Sequence, residues 1–332
     1  MAQNRGMDIA DRLKLDVPVV QAGMAGGIAG APLAAAVAAA GGLGTLGLLP
    51  PRQLKAAIAT VRDQVPGRAV AVNLLMPFLR RSHIEVCLEA RIDIAVMAFA
   101  IDRNLIRRLS DGGVFVLVMV GTQAQAAEAL AYGADGLIAQ GREAGGHLVG
   151  TQAQADFLPK ALTLAGSRPI FAAGGIATAA DTRAALAAGA SGVVAGTRFL
   201  LTHESGAHPV YRQRIIEADS TIETTAFGLA WPERHRVLPN AMTMRWCHPD
   251  GRTRRLPAAI NKYSGPLSRI PDRGDGALLR LQHPALPLLT PITLTADMPA
   301  KWVDRAALYA GETALRLDRV TSAAQAVADL AP

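Results

Sequence analysis

The chain has 332 residues, half of them hydrophobic but only 4% aromatic, and carries a net charge of +7. That length and apolar content allow a large core of Ala, Val and Leu and exclude disorder over most of the chain. Much of the basic excess, +3 of the +7, lies after residue 200, as at Arg252 to Arg255. It shows no basic run interleaved with aromatics and no DNA-binding motif, so a solvated basic face or help in holding an anionic cofactor is expected, not nucleic acid.

Apolar runs and helix-like stretches alternate from residue 18 to residue 200. Strands are expected at Pro18–Ala22, Leu43–Leu46, Ala69–Leu74, Asp93–Phe99, Val114–Val120, Gly136–Ala139, Pro169–Ala173 and Gly192–Ala195. Helices are expected between them at Pro32–Ala40, Pro51–Val65, His83–Ala90, Arg103–Ser110, Ala124–Tyr132, Gln154–Leu164 and Ala179–Ala188. Near-continuous apolar strands alternating with helices argue for a parallel sheet. Eight such units in this length predict a closed (β/α)8 TIM barrel. A doubly wound open sheet is the alternative, but Gly23–Gly27 after the first strand lacks a dinucleotide-binding fingerprint.

In such a barrel function sits on the loops that follow the strands. Here those loops begin at Gln21–Gly27, Asn73–Pro77, Gly121-Thr122, Gln140–His147, Ala173–Ile176 and Gly196-Thr197, and they gather glycine with polar residues on one face. The segment Ala134–His147 is the most informative. A short buried strand breaks into glycines and ends on His147, which puts an ionisable group able to exchange protons near neutral pH at the mouth of a pocket. Gly174-Gly175 and Gly196-Thr197 end the last two strands, where barrels often bind phosphate through backbone N–H groups. A phosphorylated cofactor or substrate is expected.

These residues resemble the nitronate monooxygenases, formerly called 2-nitropropane dioxygenases. The likeness runs through Pro18–Gly27, Ala40–Gly44, Ala71–Leu74, Gln140–His147, Ala172–Ile176, Gly196–Leu200, Trp231 to Ala241 and Leu308–Glu312. The resemblance implies an FMN-dependent barrel. Gly23 and Met24 would meet the flavin ring through backbone, Asn73 and Gln140 would bond its polar edge, and Gly145 would lie under it. Gly175 with Val194, Ala195, Gly196 and Thr197 would take the phosphate, and His147 matches the family's catalytic histidine. The implied reaction oxidises alkyl nitronates or nitroalkanes with dioxygen to carbonyl compounds and nitrite. Related barrels with the same loops and histidine are NAD(P)H-dependent FMN reductases acting on enoyl thioesters or quinones. A non-redox barrel that binds a phosphorylated ligand is a third reading. Position 23 is Gly where many members have Pro, which would loosen the first loop.

Other candidates have plainer readings. Glu143 is expected to orient its loop by accepting backbone hydrogen bonds, and Arg142 to be solvated. His203, His208, His235, His248 and His283 lack metal-ligand spacing, and no metal is expected. Tyr309 is open between helix packing and approach to the flavin. Cys87 and Cys247 form no CxxC pair, and Cys87 is expected in the core.

Residues 1–205 are expected to form the FMN-binding barrel, and 206–332 a mainly helical, loop-rich extension over the catalytic face that shapes the substrate pocket. In it, Arg214–Ser220, Trp302–Leu317 and Ser322–Leu330 are expected as helices and 264–300 as long loops. No signal peptide is expected, and 31–49 carries too many glycines and alanines for a membrane span. A cytoplasmic enzyme acting on a small molecule with dioxygen, in some homo-oligomer, is the expectation.

Overall fold

The computed structural model describes residues 9–269 and 277–332. Eleven strands are found among these residues: β1 (Val19–Gln21), β2 (Thr45–Leu46), β3 (Ala71–Leu75), β4 (Ile94–Ala98), β5 (Phe115–Val120), β6 (Gly136–Gln140), β7 (Gly146–His147), β8 (Ile170–Ala173), β9 (Gly192–Ala195), β10 (Ile222–Thr224) and β11 (His235–Val237). Eight of them form one parallel sheet in the order β1-β9-β8-β6-β5-β4-β3-β2. A parallel bridge between Val20 and Leu43 joins the two ends, with Leu43 N donating to Val19 O and Gln21 N to Leu43 O. The sheet therefore closes on itself, and the expected (β/α)8 barrel is the observed fold.

Alternation along the strands divides the core. Val20, Leu43, Ala71, Ile94, Val96, Leu117, Ile138, Phe171 and Val194 fill the barrel interior, with Leu13 of the first helix (Ile9–Leu13) packed against them. The intervening positions, such as Val19, Val72, Ala95, Val118, Ala139 and Val193, face the helical ring. Small alanines at the helix contacts let helices lie close to the sheet, and alanine is also the strongest helix former. Helix starts follow local chemistry: Asp102 and Thr122 accept N–H bonds from Leu105 (2.9 Å) and Gln125 (3.2 Å). Each barrel strand and each of the seven expected helices lies within two residues of its predicted ends.

The part after residue 205 departs from expectation. Instead of Arg214–Ser220, the helix is Pro209–Ile216, because Pro209 fits the first turn and the His208 ring caps it by accepting Val210 N–H. Trp302–Leu317 is not one helix. It forms two 3-10 turns, Ala300–Asp304 and Glu312–Arg316, around an extended stretch. Leu308 O accepts from Leu238 N (2.8 Å) and Tyr309 bridges Val237, so that stretch adds to β11 rather than coiling. Within 264–300 there are a 3-10 turn at Gly265–Arg269 and a helix at Ala277–Leu281; residues 270–276 of that expected loop lie outside the described residues. The final helix, Ala323–Leu330, packs on the outer helices Ala31–Ala39 and Ala179–Ala187, and so takes the ring position after β9. Among the described residues, no helix is long and apolar enough to cross a membrane.

Candidate active site

The loops after the barrel strands meet at one end, and a small antiparallel sheet, β10-β11-β7, stands over them. β7 carries His147 and β11 carries His235 in register with it. Gln140 closes β6, and both ends of its amide serve the next loop: Nε2 donates to His147 O (3.2 Å) and Oε1 accepts Val149 N–H (2.9 Å). Thus Gln140 fixes the backbone that presents the imidazole. Glu143 acts as expected, its carboxylate accepting Gln154 N–H (3.0 Å), and Arg142 is exposed.

His147 is buried, with 8% of its surface exposed. Trp231 stacks on it (centroids 3.5 Å apart, 13° between planes), and Phe99, His235 and Tyr309 surround it at 5.9, 5.0 and 5.4 Å. Its Nε2 is buried and has no hydrogen-bond partner. Burial, then the neighbouring His235, holds its pKa well below the ordinary imidazole value, so the ring is a neutral base at neutral pH. His235 is neutral as well. Burial brings its pKa down to about 4, against a hydrogen bond to Glu233 O that favours the proton. Its Nε2 accepts Phe227 N–H (3.3 Å), which leaves Nδ1 to donate to Glu233 O (2.9 Å). Burial also drives the Tyr309 phenol well above its usual range, and its hydroxyl donates to Pro291 O (3.0 Å).

The other expected site residues gather on the same end. Asn73 Nδ2 donates to Gly23 O (2.8 Å), while Asn73 Oδ1 and the nearby Thr45 Oγ1 are buried without partners. Gly23 does not loosen the loop: a Cβ there would lie 2.3 Å from Asn73 Cβ, so glycine is what lets the loop lie against β3. Met24 packs against the apolar layer beside it. Gly145 abuts Gly311, whose N–H donates to Thr197 Oγ1 (3.0 Å), so the His147 loop, the extension and the β9 exit form one connected unit. Val194 points into the barrel and Ala195 into the helical layer, leaving only their backbone for a ligand. Gly174 and Gly175 take positive φ (100° and 75°) beside Gly196 on the neighbouring strand exit. No acceptor among the described residues takes the N–H of Gly175, Ile176, Gly196 or Thr197.

Sequence reasoning missed the aromatic surround of His147. Phe99 closes a barrel strand, and Trp231 and His235 stand in the family-like string, so the signal was there; what it lacked was the pairing of β7 with β11. No group of His, Cys, Asp and Glu that could hold a metal occurs among the described residues.

A sequence profile described as nitronate monooxygenase matches residues 10–78 and 48–332. A Mycobacterium tuberculosis protein named (3aS,4S,5R,7aS)-5-hydroxy-7a-methyl-1-oxo-octahydro-1H-indene-4-carboxyl-CoA dehydrogenase is 37% identical over 69% of this chain, a match spanning 65% of that relative. A probable nitronate monooxygenase of Staphylococcus aureus is 29% identical over 66% of the chain and 75% of its own length. Among solved structures, the nitroalkane oxidase of Streptomyces ansochromogenes superposes with a TM-score of 0.77 at 26% identity, covering 98% of this chain and 96% of its own. FabK of Thermotoga maritima gives 0.75 at 26%, covering 99% and 95%. The chain is an oxidoreductase and belongs to the nitronate monooxygenase family.

Proposed function

We propose that this protein is an FMN-dependent enzyme that oxidises alkyl nitronates or nitroalkanes with dioxygen to a carbonyl compound and nitrite. One observation carries the reading: a neutral, buried imidazole with an unpartnered Nε2 stands at the exit of a barrel strand, beside the glycine loops of the last two strands. The residues fit FMN. Asn73 Oδ1 and Thr45 Oγ1 are buried polar atoms awaiting a partner, as a flavin's polar edge would supply. The N–H groups of Gly175, Gly196 and Thr197 suit a phosphate. Gly23, Met24, Asn73, Gln140 and Gly145 would line the ring, and Gly175 with Val194–Thr197 would hold the phosphate. Gln140 would act through the His147 loop it braces.

FMN supplies the two-electron acceptor and the reaction with dioxygen when bound. His147 takes the α-proton of a neutral nitroalkane on Nε2, which its depressed basicity leaves free at neutral pH. His235, with both ring nitrogens engaged, keeps its tautomer and holds the strand that faces His147. The aromatic rings around the imidazole keep water from competing for its lone pair. Residues 206–322 act in this reading as an extension that walls the substrate side of a barrel formed by 1–205 and completed by the helix Ala323–Leu330.

The relative named as a carboxyl-CoA dehydrogenase supports a CoA-thioester substrate, and with it a second reading, an NAD(P)H-dependent FMN reductase of the enoyl-thioester or quinone type on the same barrel. A visible spectrum of the purified protein, then anaerobic titration with a nitronate and with NADH, separates the two. Bleaching of the flavin by nitronate alone is expected. Bleaching by NADH and not by nitronate would move the assignment to the reductase, and a colourless protein that binds no added FMN would remove both.

A further inference from the structure

The stacking of Trp231 on His147 is not accounted for by the proton transfer. Three features meet there. The indole covers one face of the imidazole at 3.5 Å and is itself 8% exposed. Phe99 and Phe78 stand edge-on to it, at 4.7 Å and 80° and at 5.3 Å and 83°. Two of the four described non-glycine residues with positive φ flank the contact: Phe99 (73°), itself part of the cluster, and Ala230 (69°), which immediately precedes Trp231. A left-handed backbone at an L-residue costs about 1–2 kcal/mol. Such strain persists only where the surroundings enforce it, and it concentrates at functional sites.

An indole is larger than the imidazole it covers, so it projects past the ring edge. Among the rings in contact with His147, the indole is the largest and the one that lies flat against it. Phe99, Tyr309 and the neutral His235 also contact the imidazole, and Phe78 backs the indole, so the surround of His147 is aromatic. Such a surround favours a flat, uncharged apolar group.

We propose that Trp231 is the specificity-determining residue of this site, selecting substrates that carry a flat apolar group next to the carbon presented to His147. The proposal rests on the nitro-compound reading for its substrate class, and its test is built to stand apart from turnover. Nitrobenzene and 2-methyl-2-nitropropane both carry a nitro group and neither has an α-proton, so they report the shape of the site without reacting. Their dissociation constants are measured on the FMN-loaded protein from the shift of the His147 C2–H resonance and from flavin absorbance. Nitrobenzene is expected to bind about tenfold tighter than its rounded counterpart, the scale of one added aromatic contact. Trp231→Ala should bring the two within about threefold, and Trp231→Phe should keep most of the preference, with FMN content unchanged in both. Equal affinity in the wild type, an unchanged ratio in Trp231→Ala, or no binding of either probe overturns the proposal. Failure of phenylnitromethane to reduce the flavin would instead remove the nitroalkane reading and leave the probe ratio to stand on its own.

Discussion

His147 and His235 face each other on the β7–β11 ladder with ring centroids 5.0 Å apart, and His235 alone has both ring nitrogens bonded. Two neutral imidazoles side by side in a water-poor site make stability depend on pH. Both titrate near 6.5 in an unfolded chain and below it in the fold, His235 at about 4. Between these values the unfolded chain binds more protons, so stability is fully present above about pH 6.5 and is lost as pH falls below it. The slope is at most about 1.4 kcal/mol per pH unit for each histidine. Urea unfolding midpoints should fall between pH 7 and pH 5, and His235→Gln should flatten the fall. An identical slope in the variant would show that other groups set it.

The same neutrality fixes the direction of the rate effect. His147→Gln keeps a side chain of similar reach without a basic nitrogen. Turnover of a neutral nitroalkane should drop about 10²–10⁴-fold, while a preformed nitronate, which needs no deprotonation, should lose far less. The wild-type rate on the neutral nitroalkane should be level above pH 6.5. The check is kcat on both substrates at equal FMN content. Equal losses on the two would take proton abstraction away from His147.

The barrel was legible because its strands are short apolar runs closed by glycines, each meaningful without its neighbours. His147 was legible for the same reason, standing after Gly145-Gly146 at a strand exit. The surround of His147 was not legible. It depends on β7, a strand of two residues, pairing with β11 some ninety positions later in the chain. Tyr309 was placed on a helix because Trp302–Leu317 has helix-forming residues, yet Leu308 and Tyr309 join the β11 edge, a long-range pairing that overrides local propensity. Gly23 was misjudged as slack because its contact, Asn73, comes from another strand, β3.

Gly145 has a tight structural demand of its own. A Cβ there would lie 2.3 Å from Gly311 N and 2.6 Å from Ala310 C, both backbone atoms. Gly145→Ala must push the two loops apart and disturb the Gly311-to-Thr197 hydrogen bond. A loss of about 1–3 kcal/mol is expected, with weaker retention of FMN. Gly146→Ala is the control: its φ of 75° strains alanine, but the added carbon meets nothing within 4 Å. Melting temperature and flavin content should therefore fall together at 145, while at 146 the melting temperature alone should change. Flavin lost equally from both variants would mean that the contact with Gly311 does not matter.

One ion pair ties down the helix in the barrel's last ring position. Arg198, with 4% of its side chain exposed, donates to Asp329 (2.6 Å) on the final helix and to Thr321 Oγ1 (3.0 Å) just before it. Its Nε is already buried without a partner. Asp329→Ala leaves a guanidinium in the core with one acceptor, and breaking a buried pair in this way is strongly destabilising. Because Asp329 is 28% exposed, the loss should sit at the low end of that range, about 3 kcal/mol. Asp329→Asn keeps an acceptor oxygen and should lose less. Detachment of Ala323–Leu330 would uncover the helices Ala31–Ala39 and Ala179–Ala187, so Asp329→Ala should also be cleaved faster by protease near residues 318–322. If Asp329→Ala melts and is cleaved like the wild type, apolar contacts of Ala323, Ala326, Val327 and Leu330 are sufficient to dock the helix, and the ion pair is dispensable.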